Sequence, residues 1–224
     1  MALLEKLIAT IAPHECLICG LEGQLLCKRC ARQSLQQLPP RCYRCRATSD
    51  MSQTCQKCQR VSKLKHVWVG SDYQGVAEAL VKRLKFNRTQ TAAVIMAEHL
   101  VEALPTLNHK NYLVTHIPTA TSRVRERGYD QAKLLARELA VRLDLEFATI
   151  LARHGQARQV GAKREARLGQ LRGSFEVIKP QVVSGRKIVL VDDVLTTGAT
   201  MELAAAALKK AGVKQVDGVV FAQA

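Results

Sequence analysis

Beyond about residue 63 the apolar positions follow two alternating rhythms. The run HVWVG within residues 65–70 has the length and β-branched character of a short strand. Residues 76–84 and 92–104 place apolar side chains at helical spacing, and Pro105 stops the second of these helices. Residues 112–117 form a compact apolar run of strand length, and 130–143 read as an amphipathic helix. Residues 147–152 predict a short strand and 187–191 a clear one. An Ala-rich helix follows at 201–211, with Gly212 at its C-terminal end, and 216–222 form a last strand. Strands alternating with helices predict an α/β fold: a mostly parallel sheet with helices on both faces. Such sheets bind ligands at the carboxyl ends of their strands. The loops after 188–191 and 112–117 are therefore the informative ones.

The first 60 residues follow a different logic. Leu3, Leu4, Leu7, Ile8 and Ile11 sit at helical spacing, interrupted by Glu5 and Lys6, with no small-residue cleavage site after them. This predicts a short amphipathic helix packed on the protein rather than a secretion signal or anchor. All eight cysteines follow, as four Cys-x-x-Cys pairs: Cys16/Cys19, Cys27/Cys30, Cys42/Cys45 and Cys55/Cys58. Each pair presents two thiolates to one metal, and two pairs complete a tetrahedral site. A disulfide framework would need an oxidising compartment, a thioredoxin-like site would use one pair, and iron–sulfur spacings differ. Two structural Zn2+ ions are expected. The prolines of QQLPPR at 36–41 favour sequential pairing, residues 16–30 and 42–58, over interleaved pairing. The division expected is a zinc-ribbon module at 1–62 and an α/β domain at 63–224.

Composition sharpens this picture in two respects. Aromatics are 4% of the chain against 47% hydrophobic residues, so the core must be aliphatic. The net charge is +15. Eight thiolates and two Zn2+ ions would leave +11, still strongly basic. That excess suits an anionic partner, whether a phosphate ester or a nucleic acid. No apolar run approaches the ~20 residues of a membrane-spanning helix.

The densest chemistry lies in VLVDDVLTTGAT at 189–200. A strand delivers the loop, Thr196, Thr197 and Thr200 supply hydroxyls, and Gly198 admits close approach of an anion to the backbone. The helix that follows offers free N–H groups and the positive end of its dipole. An ordinary capped helix with Thr200 as N-cap would account for Thr200 and Gly198, but not for Asp192 and Asp193. Two acids would repel a phosphate, so ribose hydroxyls or a hydrated Mg2+ are their natural partners. A second candidate, THIPTATSRVRERGYDQ at 115–131, offers Arg123, Arg125 and Arg127 to a pyrophosphate, with Gly128 shaping the turn and Asp130 capping a helix. A third segment, 158–175, is rich in Arg and Gly.

The loop at 189–200 resembles the signature of the type I phosphoribosyltransferases. That resemblance implies that Asp192 and Asp193 hold the ribose hydroxyls, and that Thr196, Thr197, Gly198, Ala199 and Thr200 hold the 5′-phosphate. With the four Cys pairs, Leu84-Lys85-Phe86, Pro118…Arg123…Arg127-Gly128-Tyr129…Gln131 and Gln159…Arg167, the chain resembles the ComF family. Asp130 stands where that family usually has Asn, and Gln170 likewise. The resemblance implies a double zinc ribbon before a phosphoribosyltransferase domain. It also implies a cytoplasmic factor of natural transformation, with peripheral contact at the inner face of the membrane as one form of that location. Its ligands would be phosphoribosyl pyrophosphate with Mg2+, and single-stranded DNA; other competence proteins would be its partners. Arg123 and Arg127 would stabilise the pyrophosphate in any transfer. An orthodox nucleobase-salvage transferase and a non-catalytic sensor of phosphoribosyl pyrophosphate remain the alternatives. Among the six histidines, His116 alone stands at a strand end beside this chemistry.

Overall fold

In the computed structural model, the residues described are 14–87, 89–107, 111–154 and 174–224. The amphipathic helix expected over residues 3–11, and the Gln159…Arg167 and Gln170 part of the resemblance, lie outside them. Along the chain run α1 (Lys28–Ser34), α2 (Gln56–Gln59), β1 (Val67–Asp72), α3 (Gly75–Phe86), α4 (Thr91–Ala103), β2 (Tyr112–His116) and α5 (Thr121–Arg127). Then come α6 (Gln131–Leu143), β3 (Glu146–Phe147), β4 (Leu151–Arg153), β5 (Phe175–Val177), α7 (Pro180–Val183), β6 (Lys187–Leu195), α8 (Ala199–Lys210) and β7 (Gln215–Gln223).

Five strands form one sheet in the order β1-β7-β6-β2-β3, and every pairing is parallel. The two central strands, β6 and β7, are buried almost throughout, as a strand covered on both faces must be. Helix α8 shows why the helices dock. Met201, Ala204, Ala205 and Leu208 recur at helical spacing and are its buried residues. Val114, Val189, Val191 and Phe221 pack one face of the sheet with α3, α4 and α6, while Leu113, Ile188, Leu190 and Val220 pack the other with α8. Each large side chain buried this way contributes about 1.5–3 kcal/mol.

The two Cys-rich segments divide between these faces. Leu25, Leu26 and Leu35 join the α3–α4 cluster, whereas Tyr43 joins the α8 cluster.

Three sequence expectations need correction. The strand expected at 147–152 is two strands: β3 pairs with β2 in the main sheet, and β4 pairs antiparallel with β5 in a separate ribbon. Thr149 is the sole polar residue of that run and falls in the break, too weak a signal for periodicity to divide six residues into two strands. The strand expected at 187–191 continues to Leu195, which places Asp192 and Asp193 within β6 rather than after it. The basic segment 121–127 is a helix, closed by Gly128 in the left-handed conformation at φ +85°.

Candidate phosphoribosyl site and metal centres

All five parallel strands end on one edge, and the residues singled out in the sequence at 116–130 and 192–200 lie there. In β6 the side chains alternate between faces, so the adjacent acids diverge. Asp193 is buried and pairs with Lys85 of α3, Oδ1 to Nζ 2.9 Å; its Oδ2 has no partner. Asp192 is half-buried and accepts a 2.9 Å hydrogen bond from the Asp193 N–H. Desolvation, then the Asp193 charge, raises the Asp192 carboxyl well above the usual range, against the pull of that N–H and of Lys85. A cation or hydroxyl donors supplied by a ligand would relieve this cost.

The strand then gives way to the threonine loop. Thr196, Thr197 and Thr200 are exposed, and Ala199 opens α8. The N-cap is Gly198, not Thr200, at φ +76° and ψ 0°. That left-handed conformation favours glycine, and space requires it too: a Cβ there would lie 3.0 Å from the Tyr43 ring. Three hydroxyls and the N-terminus of a 12-residue helix, whose Ala199 N–H donates to Thr197 Oγ1 at 3.4 Å, thus sit beside two acids, an arrangement that presents donors to an anion and acceptors to hydroxyls.

The 117–130 segment lies alongside. Asp130 accepts from the Lys133 N–H, capping α6, and also from the Thr119 N–H at 2.9 Å and its hydroxyl at 3.1 Å. These contacts use both Oδ1 and Oδ2 as acceptors, which a carboxylate supplies and the single amide oxygen of Asn would not. Arg123 and Arg127 fall one helical turn apart on α5; Arg123 is exposed and Arg127 half-buried. The Arg127 guanidinium stacks over Phe86, 5.3 Å from the ring centroid, and its Nη1 has no partner. His116 is buried at the end of β2, its Nδ1 unpartnered and its Nε2 3.7 Å from Asp130. Desolvation lowers its pKa to about 4, with Lys133 adding and Asp130 opposing. The ring is therefore neutral near pH 7. His66 and His99 are held by Asp217 and by Ser71 and the Gly70 carbonyl, as packing residues would be. His109 lies outside the described residues.

The cysteines gather sequentially. Cys16, Cys19, Cys27 and Cys30 form one group and Cys42, Cys45, Cys55 and Cys58 another, each with its sulfurs within 4.8 Å of one another. Cys19 and Cys27 Sγ are 3.8 Å apart, Cys45 and Cys55 Sγ 3.6 Å. A tetrahedron with Zn–S of about 2.3 Å has edges of roughly 3.8 Å, so the sulfurs fit zinc. N–H groups of Cys19, Cys27 and Ile18 lower the Cys16 thiol to about 6. At Cys42, burial works the other way, yet N–H groups of Cys45, Cys55 and Arg44 still bring the thiol to about 6. Cys30 and Cys58 are pushed up to about 12, Cys30 chiefly by the hydrogen bond with Cys27 and Cys58 by burial and then Cys55. Four thiols cannot all ionise unaided; a divalent cation resolves that conflict.

Sequence reasoning missed the joint between these centres. Tyr43 lies between Cys42 and the threonine loop, and its hydroxyl bonds Ser62 at 2.9 Å and the carboxylate of Glu202 in α8. Arg44 and the Lys63 N–H bind the same carboxylate at 3.3 and 2.9 Å. Gln223 donates to the Tyr43 carbonyl. These partners are up to 180 residues apart, and no local pattern marks them.

Residues 124–224 match the family described as the phosphoribosyl transferase domain. The chain is 29% identical over 144 residues to competence protein ComFC of Streptococcus pneumoniae, covering 64% of this chain and 62% of that protein. The chain is similar to the ComF competence proteins. ComF-like relatives also include ComFC of Bacillus subtilis, 35% identical over 103 residues, covering 46% of this chain and 40% of that one. The DNA utilization protein YhgH of Escherichia coli K12 is 28% identical over 153 residues, covering 65% and 66%. The chain thus spans less than two thirds of the length of each of these relatives. Its ComF-like character joins a type I phosphoribosyltransferase fold to an N-terminal Cys-rich module with two four-cysteine groups. No helix among the described residues is long and apolar enough to cross a membrane.

Proposed function

We propose that this ComF-like chain is a competence factor that binds phosphoribosyl pyrophosphate with Mg2+ and handles single-stranded DNA. The observation that carries the first part is the juxtaposition, at the end of one central strand, of Asp192 and Asp193 with an exposed threonine loop and a helix N-terminus. In this reading Asp192 and Asp193 take the ribose hydroxyls. Thr196, Thr197, Gly198, Ala199 and Thr200 take the 5′-phosphate. Arg123 and Arg127 neutralise the pyrophosphate, and Mg2+ adds charge neutralisation there. The two-part organisation, 1–62 and 63–224, places a zinc module before the ligand-binding domain.

The DNA part is supported by charge and by the relatives' names, competence and DNA utilization proteins. A suitable surface lies at the opposite edge of the sheet. Lys63, Lys65, Lys209 and Lys214 line a groove of about 510 Å3 with no acidic residue in its wall. Binding there through phosphates would be strongly salt-dependent.

Titration calorimetry of the zinc-loaded chain with phosphoribosyl pyrophosphate and Mg2+ tests the reading, with Asp192→Asn/Asp193→Asn as comparison. Saturable binding that the double variant loses is expected, with affinity for single-stranded DNA largely retained. Equal loss of both ligands would contradict two separate sites.

A further inference from the structure

Phe86 is 68% exposed, and it is the one exposed Phe, Tyr or Trp among the described residues. Its place is not accidental. It ends α3 directly after Lys85, whose ammonium holds Asp193 at 2.9 Å. One residue before that, the Leu84 carbonyl accepts from the Tyr129 hydroxyl, which ties the end of α3 to the turn after α5. The tie sets the Arg127 guanidinium over the ring, 5.3 Å from its centroid, while Arg127 Nη1 remains without a partner. An exposed aromatic ring with a guanidinium over it thus stands one residue after the lysine that holds Asp193.

We propose that Phe86, backed by Arg127, is a stacking platform for a planar aromatic base beside the ribose held at Asp192 and Asp193. This deepens, and rests on, the phosphoribosyl reading of the 192–200 loop. Three features agree with it. Every base has a π-face, so a lone ring selects the class without selecting the base. The guanidinium polarises the ring and extends the flat surface, as cation–π pairs do. Bases are the groups that occur next to a ribose 5-phosphate in nucleotides, and C1 of such a ribose points away from its 5′-phosphate. The Leu84-Lys85-Phe86 run thereby acquires two tasks, with Lys85 turned inward to Asp193 and Phe86 turned outward. The base can come from a free nucleobase or from a single strand; the recognition chemistry is the same.

The test is a ratio of affinities measured by calorimetry on the zinc-loaded full chain. Ribose 5-phosphate is compared with purine and pyrimidine nucleoside 5′-monophosphates. Stacking predicts that monophosphates bind about 5- to 100-fold more tightly than ribose 5-phosphate. Phe86→Ala should bring that ratio close to one, and Phe86→Trp should retain it. A second arm uses a single-stranded oligonucleotide without a 5′-phosphate. A ratio near one in the wild type, with oligonucleotide affinity that falls several-fold in Phe86→Ala and returns in Phe86→Trp, overturns the placement beside the ribose and leaves Phe86 as a platform for a strand alone. If neither arm depends on Phe86 while ribose 5-phosphate still binds, the platform is wrong and the phosphoribosyl reading stands. If ribose 5-phosphate does not bind the wild type at all, the phosphoribosyl reading and the platform beside it both fall.

Discussion

The Tyr43 hydroxyl donates a hydrogen bond to the Glu202 carboxylate, and so joins the second cysteine group to the first turn of the helix behind the threonine loop. Glu202 is an acid within one turn of a site proposed for a phosphate. Tyr43, Arg44 and the Lys63 N–H hold its carboxylate toward the cysteine-rich segment. Tyr43→Phe removes one of these donors and the Ser62 contact. We expect about 1–2 kcal/mol less stability in urea unfolding and weaker binding of phosphoribosyl pyrophosphate. Unchanged ligand affinity would show that the loop is organised without this brace.

The same joint makes the two metal groups unequal. Cys55→Ser and Cys19→Ser should each reduce bound zinc from two ions to one, counted by a chromophoric chelator after denaturation. Only Cys55→Ser sits in the group that carries Tyr43. It should therefore speed amide exchange across residues 196–202 and weaken ligand binding, with Cys19→Ser close to wild type in both. Equal effects from the two variants would refute the coupling.

Lys85 and Asp193 form a pair at 2.9 Å with side-chain exposures of 20% and 6%. Lys85→Met strands a buried carboxylate, which costs about 3–5 kcal/mol. Adding Asp193→Asn should recover most of that loss, measured as the coupling in a double-mutant cycle of urea midpoints. Additive losses would mean that the pair contributes little.

His116 sets a pH dependence. Its pKa falls from 6.5 to about 4 in the folded protein, so the unfolded chain binds the extra proton between those values. Stability from this group is complete above about pH 6.5 and is lost as pH falls toward 4, on the order of 3 kcal/mol in all. His116→Gln should flatten the stability profile across that window relative to wild type. A slope unaltered by the substitution would place the titration elsewhere.

The parallel sheet was legible because the runs at 112–117, 187–191 and 216–222 are short, apolar and separated by helical periodicity. The sequential cysteine grouping was legible because the prolines of QQLPPR at 36–41 break the chain between the second and third pairs, although spacing alone also allowed interleaved pairing. Helix α5 was hidden because three arginines and a glutamate in seven residues give no apolar stripe. Gly198 displaced Thr200 as the cap because the left-handed turn, rather than a hydroxyl, closes the loop. Tyr43, Trp68, Tyr73, Phe86 and Tyr129 were the aromatics the sequence offered for exposure and base stacking; Phe86 is exposed, whereas Tyr43 and Trp68 are buried. The contact of Tyr43 with Glu202 was not legible, because it joins segments far apart in the chain that only the packed sheet brings together.

The most direct test of the central claim is a crystal structure of the zinc-loaded chain with phosphoribosyl pyrophosphate and Mg2+. The account predicts the 5′-phosphate on the backbone and hydroxyls of 196–200, with the ribose hydroxyls on Asp192 and Asp193. Ligand density in the lysine groove, with the threonine loop empty at saturating ligand, would contradict it.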